Sequence, residues 1–236
     1  MCDETVWQPQ KLDLDSVADI RIAACGARSS LAAIAEEIIA AAPRRFAIAG
    51  HSMGGRVALE VIRRIQDRVT GLALLDTGYQ PLPPGATGER ETAARFALLE
   101  KARREGMRAM GRQWLQGMVH PERLSDAILI DRILDMIERK SPELFEAQIR
   151  ALLARPDATP VMSAIRCPTL VLCGREDSWS PPRRHEEMSA LIPGSTLAVV
   201  PDCGHMSTLE QPVAVNGALR RWLDRLRSVD FASGVR

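Results

Sequence analysis

The stretch Phe46-Ala47-Ile48-Ala49-Gly50-His51-Ser52-Met53-Gly54-Gly55 decides how the chain is read. It begins as a short apolar run of strand character. It then narrows to small residues and opens into a segment with helical spacing. Ser52 sits at the tip, two residues after Gly50 and two before Gly54, in the pattern G-x-S-x-G. A serine on so sharp a strand-to-helix turn adopts a strained backbone conformation. The expected reason for the glycines is steric, because side chains at both flanking positions would meet strand and helix backbone. The helix start beneath Ser52 aims N–H groups at any negative charge forming there.

Residues 69–76 (Val-Thr-Gly-Leu-Ala-Leu-Leu-Asp) read as a buried strand, with residues 54–66 as the helix between. Strand, helix, strand implies a parallel sheet with crossover helices. Upstream, residues 29–42 carry Leu31, Ile34, Ile38 and Ile39 at helical spacing, with Ser29 or Ser30 to cap and Pro43 beyond the end. Residues 17–24 suggest a short strand, and residues 1–16 a loop or short helix. Downstream, Pro81, Pro83, Pro84, Gly85 and Gly88 make a turn-rich linker. From 89 to 154 the patterning is only helical, in about four helices broken near Gly106, Pro121 and Pro142. Apolar stripes run through Leu98, Leu99, Met107, Met110, Trp114, Leu115, Met118, Ile128, Ile133, Leu134, Met136 and Ile137. The block exceeds any single crossover and reads as a helical insertion over one end of the sheet. Strand character returns at 167–174 and 195–200, with helices expected at 181–192 and 211–226 and a frayed tail at 228–236.

Length and charge set the class. A chain of 236 residues suffices for one α/β domain plus an insertion. With 31 basic against 30 acidic residues, the net charge of +1 gives no electrostatic case for nucleic acid or an anionic membrane. Five cysteines without a C-x-x-C pair argue against a disulfide framework and structural zinc, and fit a reducing cytoplasm. The start has no basic and apolar leader pattern, and no apolar run reaches membrane-spanning length.

A serine hydroxyl needs a histidine to take its proton and an acid to orient that histidine. Four histidines are available. His51 neighbours Ser52, but adjacent residues on the turn are expected to point apart. His120 falls in the helical block and His185 in a helix. His205 follows the last strand, in Pro201-Asp202-Cys203-Gly204-His205-Met206, and loops at the carboxyl ends of parallel strands are where sites form. Gly174-Arg175-Glu176-Asp177 follows the preceding strand, so Glu176 and Asp177 are both candidate acids, with Asp177 favoured. Chain order is then Ser52, Asp177, His205.

At this point the sequence resembles the α/β-hydrolase superfamily. Gly-His-Ser-Met-Gly-Gly matches its nucleophile turn. Residues 167–177 resemble its strand-then-acid segment, and Cys203-Gly-His205 with Glu210-Gln-Pro212 resembles its histidine loop and last helix. The resemblance covers roughly residues 17–226. It implies Ser52 as nucleophile, His205 as base, Asp177 as acid and the Met53 N–H as oxyanion donor. It also implies a core of residues 1–78 and 161–236 and a helical cap at 79–160. Met1-Cys2-Asp3-Glu4-Thr5-Val6-Trp7 looks like the family's sequence just after a strand that ends in a small-residue turn. That strand, and the second oxyanion donor, would then lie before Met1. In the family order it flanks the strand leading to Ser52. Either residues 17–24 pair there or the sheet position is left open.

The expected fold is therefore α/β, a mostly parallel sheet with helices on both faces and a helical cap. The expected function is a serine hydrolase of a small ester, lactone or thioester, without metal or organic cofactor. A C–C bond hydrolase on the same three residues is the alternative, as is a non-catalytic binding protein on this scaffold. Trp179, Met206 and Trp114 are candidates to line the substrate pocket. Met107, Met110 and Met118 could line it or pack the cap, and Arg175 could meet an acidic substrate or a surface carboxylate. Cys203 and Cys173 read as small buried hydrophobes. The partner is a small molecule, not nucleic acid or membrane, and the oligomeric state, a homodimer included, is open.

Overall fold

The computed structural model describes residues 1–232, with side chains through Ser228. After a 3-10 turn at Glu4–Trp7, the elements run α1 (Gln8–Leu14), α2 (Leu31–Ala41), β1 (Phe46–His51), α3 (Met53–Ile65), β2 (Val69–Leu75), α4 (Ala86–Glu105) and α5 (Met107–Trp114). There follow α6 (Ala127–Glu138), α7 (Pro142–Leu153), α8 (Thr159–Met162), β3 (Thr169–Gly174), α9 (Pro182–Leu191), β4 (Thr196–Val200), α10 (Ser207–Glu210) and α11 (Pro212–Ala232).

The four strands form one sheet in the order β1-β2-β3-β4, all parallel, with Ala49 opposite Ala73, Leu74 opposite Val171 and Leu172 opposite Ala198. Each crossover needs a helix, which is why the sheet is covered on both faces. The strand period of two divides the core. Leu72, Leu74 and Val171 face a layer with α2, α3, α8 and α9, where Ile34, Leu59, Ile62 and Met188 are buried. Ala73, Leu75, Leu170 and Leu172 face the other layer, with Val215, Leu219 and Trp222 of α11 and Leu14 of α1. Gly71 belongs to this packing, because a Cβ there would lie 2.6 Å from Leu226.

Between β2 and β3 the chain is helical, and the expected breaks fall at Gly106 (φ +88°), Pro121 and Pro142. Asp126 and Ser141 cap α6 and α7 by accepting from the N–H groups of Leu129 (3.1 Å) and Leu144 (3.2 Å). The stripe residues Leu99, Met110, Ile133, Leu134, Met136 and Ile137 form a second core. Ile128 departs from the expected stripe. It lies in the first turn of α6, off the buried face, and is 85% exposed. This core also takes in Val6, Met206 and Leu209, which ties the helices to the carboxyl end of the sheet. Asp3 joins it from the start of the chain through ion pairs to Arg139 (3.0 Å) and Lys140 (2.9 Å).

Residues 17–24 form no strand, against expectation. Ile20 and Ile22 alternate with exposed Asp19, Arg21 and Ala23, which favours extended backbone, but a strand also needs a ladder, and a cavity lies between this segment and β1. The outer edge of β1 therefore carries no strand among the described residues, and Ala47 and Ala49 on it are exposed. At the other end the helix continues past the expected tail boundary to Ala232, and residues 233–236 lie outside the described residues. Among the described residues, no helix is long and apolar enough to cross a membrane.

Candidate active site

The turn between β1 and α3 holds Ser52 at φ 55°, ψ −118°, a conformation that costs a side-chain-bearing residue on the order of 1–3 kcal/mol. Surrounding bonds over-determine it. The Ser52 N–H donates to Leu75 O (2.9 Å), while Ser52 O accepts from the Gly55 N–H (3.0 Å) and from Thr77 Oγ1 (2.6 Å). The steric need for small residues falls partly where the sequence placed it. A Cβ at Gly50 would sit 2.3 Å from Gly54 O and one at Gly55 2.6 Å from the Thr77 side chain, but one at Gly54 would meet nothing within 4 Å. The tight contacts are strand to helix and helix to the segment just after β2, not at the residue two after Ser52.

Asp177 and His205 occupy the loops after β3 and β4, and the two loops cross closely. A Cβ at Gly174 would lie 2.1 Å from Gly204 O. The His205 Nε2 is 2.8 Å from Ser52 Oγ, and its Nδ1 is 2.8 Å from Asp177 Oδ2. The second oxygen of Asp177 accepts from the N–H groups of Trp179 (2.9 Å) and Ser180 (2.8 Å). Burial pushes the Asp177 carboxyl up, but the imidazole and these N–H donors outweigh it and hold the group below its ordinary value. A carboxylate can only accept, so Nδ1 carries the ring proton and Nε2 is left to accept from the Ser52 hydroxyl. Glu176, the alternative acid, is engaged elsewhere, accepting from the Cys203 N–H at 2.9 Å.

The histidine loop is held along its backbone. Glu210 accepts from the N–H groups of His120 (2.8 Å), Gly204 (3.1 Å) and Met206 (3.0 Å), flanking His205 on both sides. The His205 N–H donates to Met118 O (2.9 Å). The His51 ring serves the histidine loop and not the Ser52 hydroxyl. It lies beneath the loop, with Nε2 2.7 Å from His205 O. Met53 opens α3, so no helical carbonyl can accept its N–H.

A cavity of about 1420 Å³ adjoins these residues, larger than the roughly 300–1,000 Å³ of ordinary ligand sites because it continues along the open edge of β1. Trp114, Trp179, Met118 and Met206 line it; Met107 and Met110 do not and are buried in the helical core. The Trp179 ring lies 6.4 Å from His205 and 6.4 Å from Trp114. Arg175 is exposed and off the cavity lining. Cys203 and Cys173 are fully buried, and burial pushes both thiols far up, as suits the hydrophobe reading.

Among the arginines that line the same cavity are Arg56, Arg95, Arg155 and Arg184, none of them a site candidate in the sequence. Arg155 grips Glu91 through both oxygens (2.7 and 2.8 Å), and Arg95 shares it (2.9 Å) while lying 5.6 Å over the Trp179 ring. Burial alone would raise Glu91, yet the two guanidiniums pull it down to about 2. Arg56 and Arg184 have no carboxylate partner among the described residues, and donate to Gln80 O and Trp179 O, each at 2.9 Å. Burial and the neighbouring guanidiniums of Arg155 and Arg184 bring Arg56 down to about 9, still protonated at neutral pH. The available signal was position, since Arg56 lies one helical turn after Ser52 on α3.

Two buried imidazoles flank the turn. His185 accepts from the Thr77 N–H at 3.0 Å, and burial lowers both His51 and His185 to about 4. Between pH 6.5 and about 4 the unfolded chain binds protons that these rings refuse, so each contribution is complete above 6.5 and is lost as pH falls toward 4. Each amounts to roughly 2–4 kcal/mol. Asp76 and Glu210, raised by burial, act in the opposite sense, so the clean measurement is a difference. The urea midpoint of wild type is expected to fall more steeply than that of His185→Gln between pH 7 and pH 4.5. Parallel curves would contradict a neutral His185.

Residues 11–218 match the alpha/beta hydrolase family. The 2-succinyl-6-hydroxy-2,4-cyclohexadiene-1-carboxylate synthase of Serratia proteamaculans (strain 568) is 25% identical over 228 residues, 92% of this chain and 83% of the relative. A thermophilic esterase from Thermogutta terrifontis, solved with malate bound, superposes with a TM-score of 0.83 at 30% identity, over 95% of this chain and 86% of the esterase. The enol-lactonase from Burkholderia xenovorans LB400 shares the fold, with a TM-score of 0.79 at 22% identity over 94% of this chain and 87% of the lactonase. The parallel sheet, the serine turn after β1 and a family match over most of the sequence agree: the chain belongs to the alpha/beta hydrolase family.

Proposed function

We propose that the protein is a serine hydrolase of small carboxylic esters or lactones that carry a second, ionised carboxylate. One observation carries the catalytic part: Ser52 Oγ, the His205 ring and the Asp177 carboxylate stand in a continuous hydrogen-bonded series at 2.8 Å and 2.8 Å. His205 Nε2 takes the Ser52 proton as Oγ attacks the carbonyl carbon. The oxyanion then accepts from the Met53 N–H at the start of α3. As the tetrahedral intermediate collapses, the leaving oxygen receives the proton from Nε2 and the acyl group stays on Oγ. Water, deprotonated in turn by Nε2, releases the acid and restores Ser52. Asp177 fixes the tautomer and balances the transient imidazolium.

The arginines support the carboxylate part. Glu91 answers Arg95 and Arg155 and not Arg56 or Arg184, which leave this part of the cavity wall positive, in a partly buried setting where a charged hydrogen bond is worth about 1.5–3 kcal/mol. The named relatives fit this reading, one a carboxylate-producing synthase and one an esterase that holds malate. Residues 79–160 serve as the cap that closes the pocket over Ser52, with Trp114 and Trp179 as its apolar wall.

A matched pair of substrates tests the reading: mono-(p-nitrophenyl) adipate and its uncharged methyl ester. The acid is expected to have the higher kcat/KM, and Arg56→Met to lose about 10- to 100-fold on the acid while changing little on the methyl ester. Equal kcat/KM for the two in wild type would refute the carboxylate preference. No turnover of either, by a folded protein, would refute the ester reading.

A further inference from the structure

Behind the Ser52–His205–Asp177 series lies a second carboxyl, Asp76, in which the mechanism above has no part. It ends β2, at φ +48°, and is 0% exposed. Oδ1 accepts from the Gly174 N–H at 3.0 Å, tying β2 to the start of the acid loop. Oδ2 meets the hydroxyl of Ser207, itself 0% exposed and two residues after His205. His51 Nε2 lies 3.5 Å from Oδ2, but its proton is already directed at His205 O, 2.7 Å away. A carbonyl only accepts, so a neutral His51 is the donor there. The charged and titratable groups facing Asp76 are His51 from the serine turn, Asp177 after β3, Glu210 of α10 and the thiols Cys173 and Cys203. None of these supplies a fixed positive charge.

We propose that Asp76 is an un-ionised carboxylic acid that positions the base, its O–H donated to Ser207 Oγ and its carbonyl oxygen accepting from Gly174, while His51 holds His205 O from the opposite side. An ionised carboxylate in that place would be a fully buried charge with one backbone N–H, one hydroxyl and no cation, which folding disfavours strongly. Burial first, then the nearby Asp177 charge, pushes the group well above its ordinary value, in agreement with the placement. The arrangement has a purpose for the chemistry. With Asp76 neutral, the Asp177 carboxylate is the negative charge in contact with the imidazole, and the loop bearing His205 is pinned by a bond that does not compete for its proton. Asp76 and His51 are thus positioning residues, acting through the His205 loop.

The inference rests on His205 being the base, so the test carries one arm that does not need activity. In Asp76→Asn the amide reproduces a carboxylic acid, its oxygen accepting from Gly174 and its N–H donating to Ser207. Asp76→Asn is expected to fold, to keep kcat within about threefold and to leave the acid limb of kcat/KM at the wild-type pH. Ser207→Ala, which deletes the partner hydroxyl, is expected to lower kcat about 10- to 100-fold with KM little changed, the cost of a loosened base. Independently, the infrared difference between wild type and Asp76→Asn at neutral pH should contain the carbonyl band of a protonated carboxylic acid. A carboxylate band instead, an acid limb moved to lower pH, or an Asp76→Asn protein that no longer folds would each show an ionised Asp76 and overturn the proposal. Full kcat in Ser207→Ala would overturn the positioning role. If wild type proves inactive on esters while the infrared band is present, the catalytic reading fails and the neutral carboxyl stands.

Discussion

Ser52→Ala is expected to remove ester turnover almost completely, by on the order of 10⁴- to 10⁶-fold in kcat. The thiols of the histidine loop and of β3 offer no replacement nucleophile. Cys203 and Cys173 are fully buried, with thiols pushed far above neutrality, and the Cys203 Sγ faces Gly204 O at 3.6 Å. The substitution should not unfold the protein. Its backbone strain at φ 55° is common to both residues, and the bonds that hold the turn run through Ser52 N and O, not Oγ. What disappears is the 2.8 Å hydrogen bond to His205 and the attacking oxygen. The Met53 N–H and the arginines remain, so substrate binding should survive. The measurement is covalent labelling by a fluorophosphonate probe together with turnover of a p-nitrophenyl ester. Wild type should label at a single serine, and Ser52→Ala should neither label nor turn over while keeping its melting temperature within a few degrees. A folded wild type that refuses the probe would leave the non-catalytic binding reading in possession of the scaffold.

The sequence made this much of the site legible because local rules and long-range placement coincide there. Gly50-His51-Ser52-Met53-Gly54 announces its turn through small residues, and His205 and Asp177 follow apolar runs of strand length, where parallel sheets put their loops. The helix breaks at Gly106, Pro121 and Pro142 were legible for the same reason, each being a property of one residue's own backbone. What was hidden depends on which way a side chain turns once distant elements meet. His51 was set apart from Ser52 by its place on the turn, but nothing local told that its ring reaches a carbonyl 154 positions along the chain. Asp76 looked like the end of a strand until Ser207 and Gly174 closed around it. Arg56 carried no local signal beyond its place on α3, and only the pairing of Glu91 with Arg95 and Arg155 leaves it without a carboxylate partner among the described residues. Residues 17–24 show the reverse error. Alternation at Ile20 and Ile22 has the local look of a strand, but a strand exists only where a neighbour supplies its ladder.

Asp177→Asn is expected to cost on the order of 10⁴-fold in kcat with little change in stability, and the surrounding backbone explains why so small a change should do so much. Asp177 Oδ1 is fixed by the N–H groups of Trp179 and Ser180 at 2.9 and 2.8 Å. In the asparagine variant that position must be taken by the amide oxygen, because an NH₂ group there would face two donors. The NH₂ group therefore replaces Oδ2, against His205 Nδ1. An N–H donor at that point requires Nδ1 to accept, which moves the ring proton to Nε2 and aims it at Ser52 Oγ. The base then presents a proton where it must receive one. Glu176 cannot substitute, since its carboxylate is held by the Cys203 N–H at 2.9 Å. The two backbone donors thus exclude the amide rotation that would otherwise rescue the tautomer. The check is kcat on an activated ester beside thermal unfolding of both proteins. A folded Asp177→Asn protein retaining a tenth or more of wild-type kcat would mean that Asp177 does not set the tautomer of His205. A loss near 10⁴-fold that recovers as pH rises, when hydroxide can strip the misplaced proton, would tie the defect to the imidazole itself.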